Sequence, residues 1–223
     1  RANPALGVEL IAAKVYRPRM FRQLRNDAVY RQGGEVIGEE GKEVRGRREK
    51  LAMNKKTAFG QTLRHTTWLA NEFATLKKLH AAGADVPKPF ASSDNAILME
   101  YLGAEKYPAP ALNQVQLTRH AARALFERLM DNVELMLAHD CVHGDLSAYN
   151  VLYWEGEIKI IDLPQAVNPY VNSEAYNLLM RDIERLCQYF ARSGVDANPL
   201  QLAREFWERH ILHREETRQA TLV

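Results

Sequence analysis

The segment VHGDLSAYNVLYWEGEIKIIDLPQAV, residues 142–167, constrains the fold more than any other part of the chain. Val151 to Trp154 and Glu157 to Ile161 alternate as two short strands, and Glu155-Gly156 is a two-residue turn between them. Pairing Trp154 with Glu157 and counting back puts Asn150 opposite Ile161 and Tyr149 opposite Asp162, so Asn150 and Asp162 become neighbours. Opposed positions lie only about 5 Å apart. A carboxylate and an amide oxygen at that separation can share one hard cation, and Mg²⁺ prefers one or two such oxygens completed by waters and substrate phosphates. Asp145 lies one loop away, outside that shell, free to take a proton from an attacking hydroxyl or to orient a water. Taken singly, an Asp or Asn before a hairpin is usually a turn former. It is their order and spacing together that point to chemistry.

The remainder reads as one enzyme-sized unit. At 223 residues and 46% hydrophobic content the chain can bury a substantial core in one or two lobes. No apolar run reaches the ~18 residues of a membrane span, and no leader pattern is visible. Arg1 stands where a Met would begin a chain, from which an upstream segment is expected. Cys141 and Cys187 are too few and too far apart for a disulfide framework or a zinc site. Reduced thiols in a cytoplasmic protein are the expectation, with Cys141 a small core residue.

Charge is uneven. From Arg17 to Thr66 there are 13 Lys or Arg against 6 Asp or Glu, whereas the whole chain is only +2, so the rest is net acidic. The Gly-rich, aperiodic part of this segment, around residues 31–58, reads as a flexible insertion; it is either a solvated loop or a contact for RNA or a ribosomal particle. Gly38, Gly41 and Lys42 lack the spacing of a phosphate-binding loop.

Further along, VELIAAKVY (Val8 to Tyr16) is a strand with Lys14 inside an apolar run, and Trp68 to Ala81 is a helix. On that helix Leu69, Glu72, Leu76 and Leu79 share a face, which turns Glu72 inward. Strands follow after Val86-Pro87-Lys88-Pro89 and over Ala96 to Leu102, separated by a turn at Ser92 to Asn95. Leu117 to His139 is an amphipathic helix with Ala122, Leu125, Phe126, Leu129, Val133, Met136 and Leu137 as its buried stripe. Two more helices, Glu174 to Ser193 and Pro199 to about Glu216, end the chain.

H-x-D-x-x-x-x-N followed by a later Asp on a strand resembles the catalytic loop and metal-binding Asp of the protein-kinase-like superfamily. DLSAYN (145–150), IIDLPQAV (160–167), YPAPAL (107–112), MEYLG (99–103) and LMRDIERLCQYF (179–190) together resemble the RIO family of atypical serine protein kinases and ATPases, over about Leu10 to Phe190. The resemblance implies an α+β, two-lobed fold. Residues 1–98 would form a small N-lobe with an antiparallel sheet and a helix, 99–103 the hinge, and 104–223 a mainly helical C-lobe. It implies ATP and Mg²⁺, with Mn²⁺ as a substitute ion. Lys14 would contact the α and β phosphates and pair with Glu72, Asp145 would be the catalytic aspartate, and Asn150 and Asp162 the metal ligands, with Asp162 also a phosphate acceptor. The backbone of Glu100 and Leu102 would meet adenine, with Met99 at the back of the pocket, Ser147 near the phosphates and Asp182 steadying the catalytic loop.

The family's Gly-rich phosphate loop is expected before the Lys14 strand, yet RANPALGVE holds a single glycine. The substrate expected is a serine of the chain itself or of a protein partner, or water. Two alternatives are a small-molecule phosphotransferase of the aminoglycoside and choline kinase type, and a nucleotide-switched ribosome- or RNA-binding module.

Overall fold

The computed structural model describes residues 7–16 and 58–214. Residues 1–6, where most of the expected phosphate loop would fall, and the basic insertion up to residue 57 therefore lie outside the described residues. The order is β1 (Ile11–Val15), α1 (Ala58–Ala81), β2 (Pro89–Ser92), β3 (Ala96–Glu100), β4 (Gly103–Ala104), β5 (Tyr107–Pro108), α2 (Arg119–Ala138), β6 (Val151–Trp154), β7 (Glu157–Ile160), α3 (Ala175–Ala191) and α4 (Pro199–Trp207).

Three of these strands form an antiparallel sheet in the order β1-β3-β2, with Ala12 opposite Met99 and Lys14 opposite Ile97. Since side chains alternate across a strand, Ala12, Lys14, Ile97 and Met99 share one face, while Ala13 and Val15 lie exposed on the other. α1 runs from Ala58, well before the expected Trp68; over AFGQTLRHTT only Phe59 and Leu63 are large apolar residues, so the sustained apolar stripe begins later than the helix does. Its stripe is as expected: Leu69, Glu72, Leu76 and Leu79 are all buried. A Schellman turn ends it, with Gly83 at φ +88°, the Gly83 N–H on His80 and the Ala84 N–H on Leu79.

The segment expected as the hinge ends in Gly103 at φ +128°, where an added Cβ would lie 2.5 Å from the Tyr107 carbonyl oxygen and 2.6 Å from the Ala109 nitrogen. Only glycine fits that backbone approach. β4 and β5 then close a short ribbon, and the Ala109 N–H donates to Leu102 O at 2.9 Å.

The C-lobe packs around α2. All seven of its expected core residues are buried, and Phe126 meets Phe190 of α3 edge to face at 5.5 Å. Capping sets the helix starts: Thr118 begins α2 two residues after the expected Leu117 by accepting the Ala121 N–H, and Asn198, through two N–H groups, begins α4 at Pro199 as expected. The last expected helix stops being α-helical at Trp207 and continues as a π turn over Glu208–Leu212, where Arg209 and His210 both reach Glu134 of α2. No helix among the described residues is long and apolar enough to cross a membrane.

A polar knot joins the two lobes at Asp85. Arg128 of α2 grips its carboxylate with Nε and Nη2, both at 2.7 Å, and the same guanidinium reaches Glu157 on β7 at 2.9 Å. The buried Asn132 donates to Asp85 Oδ2 at 2.8 Å and accepts the Asp85 N–H at 2.7 Å, while Asp85 O accepts the Ile160 N–H at 2.7 Å. Burial pushes the Asp85 carboxyl up, but the hydrogen bonds from Arg128 and Asn132 outweigh it and hold the group below the usual carboxylate range. Replacing Asn132 with leucine orphans the Asp85 N–H and strips a donor from the carboxylate, which should cost about 2–3 kcal/mol. Urea unfolding measures this directly; a loss under about 0.5 kcal/mol, the range of ordinary surface changes, would show the knot to be inconsequential.

Candidate active site

The β6–β7 hairpin places the end of the site. Trp154 pairs with Glu157 as expected, and Glu155 and Gly156 both take positive φ, 49° and 87°, the backbone of a type I′ turn. Beyond the ladder the Ile161 N–H donates to Asn150 O at 2.9 Å, which fixes Asn150 beside the strand that leads into Asp162. Asp162 itself is left-handed, at φ +69°. Asp tolerates that region better than most residues, and the reversal sends its carboxylate back toward the N-lobe sheet.

There it meets Lys14. The ammonium lies 2.6 Å from Glu72 Oε1 and 2.5 Å from Asp162 Oδ1, so one cation ties β1, α1 and the hairpin end together. The side chain of Glu72 is 4% accessible and that of Asp162 42%. Glu72 thus depends on its partners far more than Asp162 does. Its second oxygen accepts the Tyr16 hydroxyl. Burial, and then the Glu72 charge, push the Tyr16 phenol far up, so it stays protonated and donates. The Tyr16 ring packs edge to face on Trp68 at 5.2 Å, and Trp68 Nε1–H donates to Pro164 O at 2.9 Å. This chain of contacts fastens α1 to the segment after Asp162. Neither Tyr16 nor Trp68 stood out in the sequence, where one merely ends a strand and the other begins a helix.

The catalytic-loop candidates are held from beneath. Asp182 on α3 is buried and accepts two backbone N–H groups, Gly144 on Oδ2 at 2.7 Å and Leu146 on Oδ1 at 3.0 Å. Burial pushes its carboxyl up to about 7, against the pull of those N–H bonds and of the Arg181 and Arg185 charges. The Arg181 guanidinium donates to Gly144 O. His143 is buried with its pKa lowered by desolvation, hence neutral. Its Nε2 faces Ile161 O at 3.1 Å and its Nδ1 faces the Asp145 N–H at 3.3 Å, which selects the Nε2–H tautomer.

Asp145 sits half-exposed with Oδ1 on Arg185 Nη1 at 2.7 Å. Arg185 is a third residue that sequence reasoning missed, since nothing in a helical pattern ties it to a loop forty positions earlier. Asn150 spends its amide nitrogen on Asp145 O at 2.8 Å, leaving Oδ1 as the atom for a cation. Ser147 is extended and makes no capping bond, and it lines the cavity beside Asp145. At the hinge Met99 packs against the core on the Lys14 face of the sheet. Glu100 uses its N–H on Lys88 O and its carboxylate on the Lys88 N–H and Lys159, and Leu102 uses its carbonyl on Ala109. Of the hinge groups named from the sequence, the Leu102 N–H is the donor left for a ring nitrogen.

Among the described residues no three His, Cys, Asp or Glu side chains form a metal cage of their own. The donor set of one Asp162 carboxylate and one Asn150 amide oxygen fits a hard cation that takes its remaining oxygens from phosphates and water. The Lys14 ammonium on Asp162 Oδ1 shows that a cation is at home there. Both cysteines are buried and free, and burial pushes the Cys141 thiol up to about 12, so it is inert as expected.

The RIO domain family model matches residues 29–202. The chain belongs to the RIO family. It is 38% identical over 139 residues to the serine/threonine-protein kinase RIO1 of Chaetomium thermophilum, covering 58% of this chain and 27% of that one. Against the RIO-type serine/threonine-protein kinase Rio1 of Haloferax volcanii the identity is 34% over 139 residues, with 62% and 46% covered. The Rio1 of Thermoplasma acidophilum is 32% identical over 132 residues, with 59% and 68% covered. The chain thus spans about a quarter to two thirds of the length of these relatives. A solved Rio2 kinase from C. thermophilum, an ADP/Mg²⁺-phosphoaspartate complex, superimposes with a TM-score of 0.55 at 21% identity, over 68% of this chain and 48% of that one. The RIO domain here has the protein-kinase-like, α+β fold expected from its motifs.

If Lys14 and Glu72 act as one unit, Lys14→Met should destabilise the protein by about 2–3 kcal/mol, below the ~3–5 of a fully buried broken pair because Lys14 keeps some solvent. Adding Glu72→Gln should recover much of that loss, a coupling in the range of about 0.5–3 kcal/mol. Denaturant unfolding of the four proteins of the cycle reads it. Additive losses would remove the pair from the account.

Proposed function

We propose that this chain carries the ATP- and Mg²⁺-dependent phosphoryl-transfer site of a RIO-type serine kinase or ATPase. One observation carries the reading: a single lysine is held between a buried glutamate and the hairpin aspartate, opposite a loop aspartate fixed by Asp182. The kinase names of the RIO relatives support it.

In this reading Lys14, oriented by Glu72, meets the α and β phosphates. The hinge takes adenine through Leu102 N–H and the Glu100 backbone, with Met99 behind the ring and Ser147 near the phosphates. Asn150 Oδ1 and Asp162 hold the metal, which when bound neutralises charge on the phosphate oxygens. Asp145, with Oδ1 on Arg185, offers Oδ2 to the serine hydroxyl. The hydroxyl oxygen attacks the γ-phosphorus, the bond to the ADP oxygen breaks, and the hydroxyl proton passes to Asp145. The substrate is a serine of this chain or of a protein partner.

A second route is favoured by the accessibility of Asp162 and by the phosphoaspartate in the Rio2 complex: Asp162 takes the phosphoryl group and water later releases it. The same proposal puts the protein in the cytoplasm, in keeping with two unpaired thiols. It also gives the basic stretch from Arg17 to Thr66 a contact with RNA or a ribosomal particle, supported by its charge.

Incubating the protein with γ-labelled ATP and Mg²⁺ should give labelled protein or free phosphate, and label released by hydroxylamine would identify the Asp162 route. Asp145→Asn should cut transfer roughly 10²–10⁴-fold while nucleotide affinity stays within about a few-fold, because its role belongs to the transition state. An equal loss of ATP affinity, or no transfer to protein or water by the unaltered chain, would contradict the proposal.

A further inference from the structure

Beside Asp145 lies a cavity of about 540 Å³ that shares Asp145, Ser147 and Asn150 with the phosphoryl-transfer scheme and adds side chains that the scheme leaves unused. Its walls are built. Arg185, Gln188, Tyr189 and Arg192 recur at helical spacing along the end of α3 and so present one stripe. Opposite them, the turn at Leu112–Gln114 contributes Asn113 and is fastened to α3 by the Tyr189 hydroxyl, which donates to Leu112 O at 2.6 Å. The turn at Ala148–Asn150, closed by the Asn150 N–H on Ser147 O at 2.9 Å, adds the exposed Tyr149 ring.

The charge in this cavity has one sign apart from Asp145. Arg185 spends one nitrogen on Asp145, and a guanidinium has five N–H donors, so most of its donors remain. Among the described residues no acidic side chain pairs with Arg192, which stands exposed at the rim. Asn113 Oδ1, an acceptor, is buried there without a hydrogen-bond partner and suits a backbone N–H of a bound peptide rather than the anion itself. A surface arginine alone would be unremarkable as a solvated charge. Two on one stripe, around a cavity whose wall includes the proton-accepting aspartate, ask for an anion bound next to the acceptor.

We infer that this cavity is an acceptor subsite that recognises an acidic side chain, Asp, Glu or a phosphorylated residue, close in sequence to the serine that is phosphorylated. The inference rests on the phosphoryl-transfer reading, which puts the acceptor hydroxyl at Asp145. Whatever fills a cavity adjoining that hydroxyl is continuous with the acceptor, so a peptide suits it better than a separate nucleic-acid strand. The cavity adjoins Asp145, so at ~3.3 Å per extended residue the side chain it takes lies within about three positions of the serine. Arg192 makes the charge-assisted contact, and Arg185 links occupancy of the subsite to Asp145 through their shared ion pair.

The test uses the whole protein and fluorescent peptides whose acceptor serine is replaced by alanine, so that binding is read without transfer. The flanking position is Glu, Gln or Lys. The Glu peptide should bind about ten-fold more tightly than the Gln peptide, the worth of one charge-assisted bond. Arg192→Gln should erase most of that preference, and Arg192→Glu should turn it toward the Lys peptide, a gain that misfolding could not produce. Equal binding of the Glu and Gln peptides, or displacement of the Glu peptide by a single-stranded oligouridine that binds more tightly, would overturn the subsite. Serine-containing peptides with labelled ATP report separately on chemistry: a Glu preference without transfer indicts the kinase reading, and transfer without a preference indicts the subsite.

Discussion

The Lys14 ammonium is the point on which this architecture closes. Without it the carboxylates of Glu72 and Asp162 would converge uncompensated, one of them almost wholly out of water. Like charges brought together in a site of low polarity cannot both stay ionised at ordinary pH. With it, the N-lobe sheet, its helix and the C-lobe hairpin acquire a common anchor spanning 148 residues of sequence. Two carboxylates and one ammonium still leave one negative unit, which suits the proposed binding of a divalent cation together with phosphates.

Around that anchor the polar groups fall into two classes. The exposed helical pairs Arg123–Glu127 and Arg204–Glu208 are worth little, at most a few tenths of a kcal/mol each. The buried ones carry position. Asp182 holds the Gly144 and Leu146 amides, neutral His143 bridges Asp145 to Ile161, and the Asp85 knot locks α2 to the turn after α1. Each satisfies groups that would otherwise be orphaned away from water, so each fixes a loop rather than merely adding stability. The result is a scaffold for the candidate catalytic loop, set by rigid elements on either side.

Much of this was readable in the chain because it is local. The β6–β7 register follows from the alternation around Glu155-Gly156, and the burial of Glu72 from its place among Leu69, Leu76 and Leu79. Lys14 with Glu72, and Asp182 beneath the loop, were legible only through family resemblance, and the geometry brings both sets together. The contacts that escaped notice are long-range ones between unremarkable residues: Tyr16 on Glu72, Trp68 on Pro164, Arg185 on Asp145 and Asn132 on Asp85. No periodicity encodes such pairings, since either partner alone fits a bland surface or core role. The start of α2 drifted for a related reason, as the Thr118 cap acts where apolar periodicity is silent.

The most direct measurement is a crystal structure of the protein with a non-hydrolysable ATP analogue and Mg²⁺. The account requires Lys14 to keep Glu72 and to exchange Asp162 for phosphate oxygens, while Asp162 and Asn150 Oδ1 turn to the metal. A complex in which Lys14 stays on Asp162 and the metal binds without either residue would contradict it.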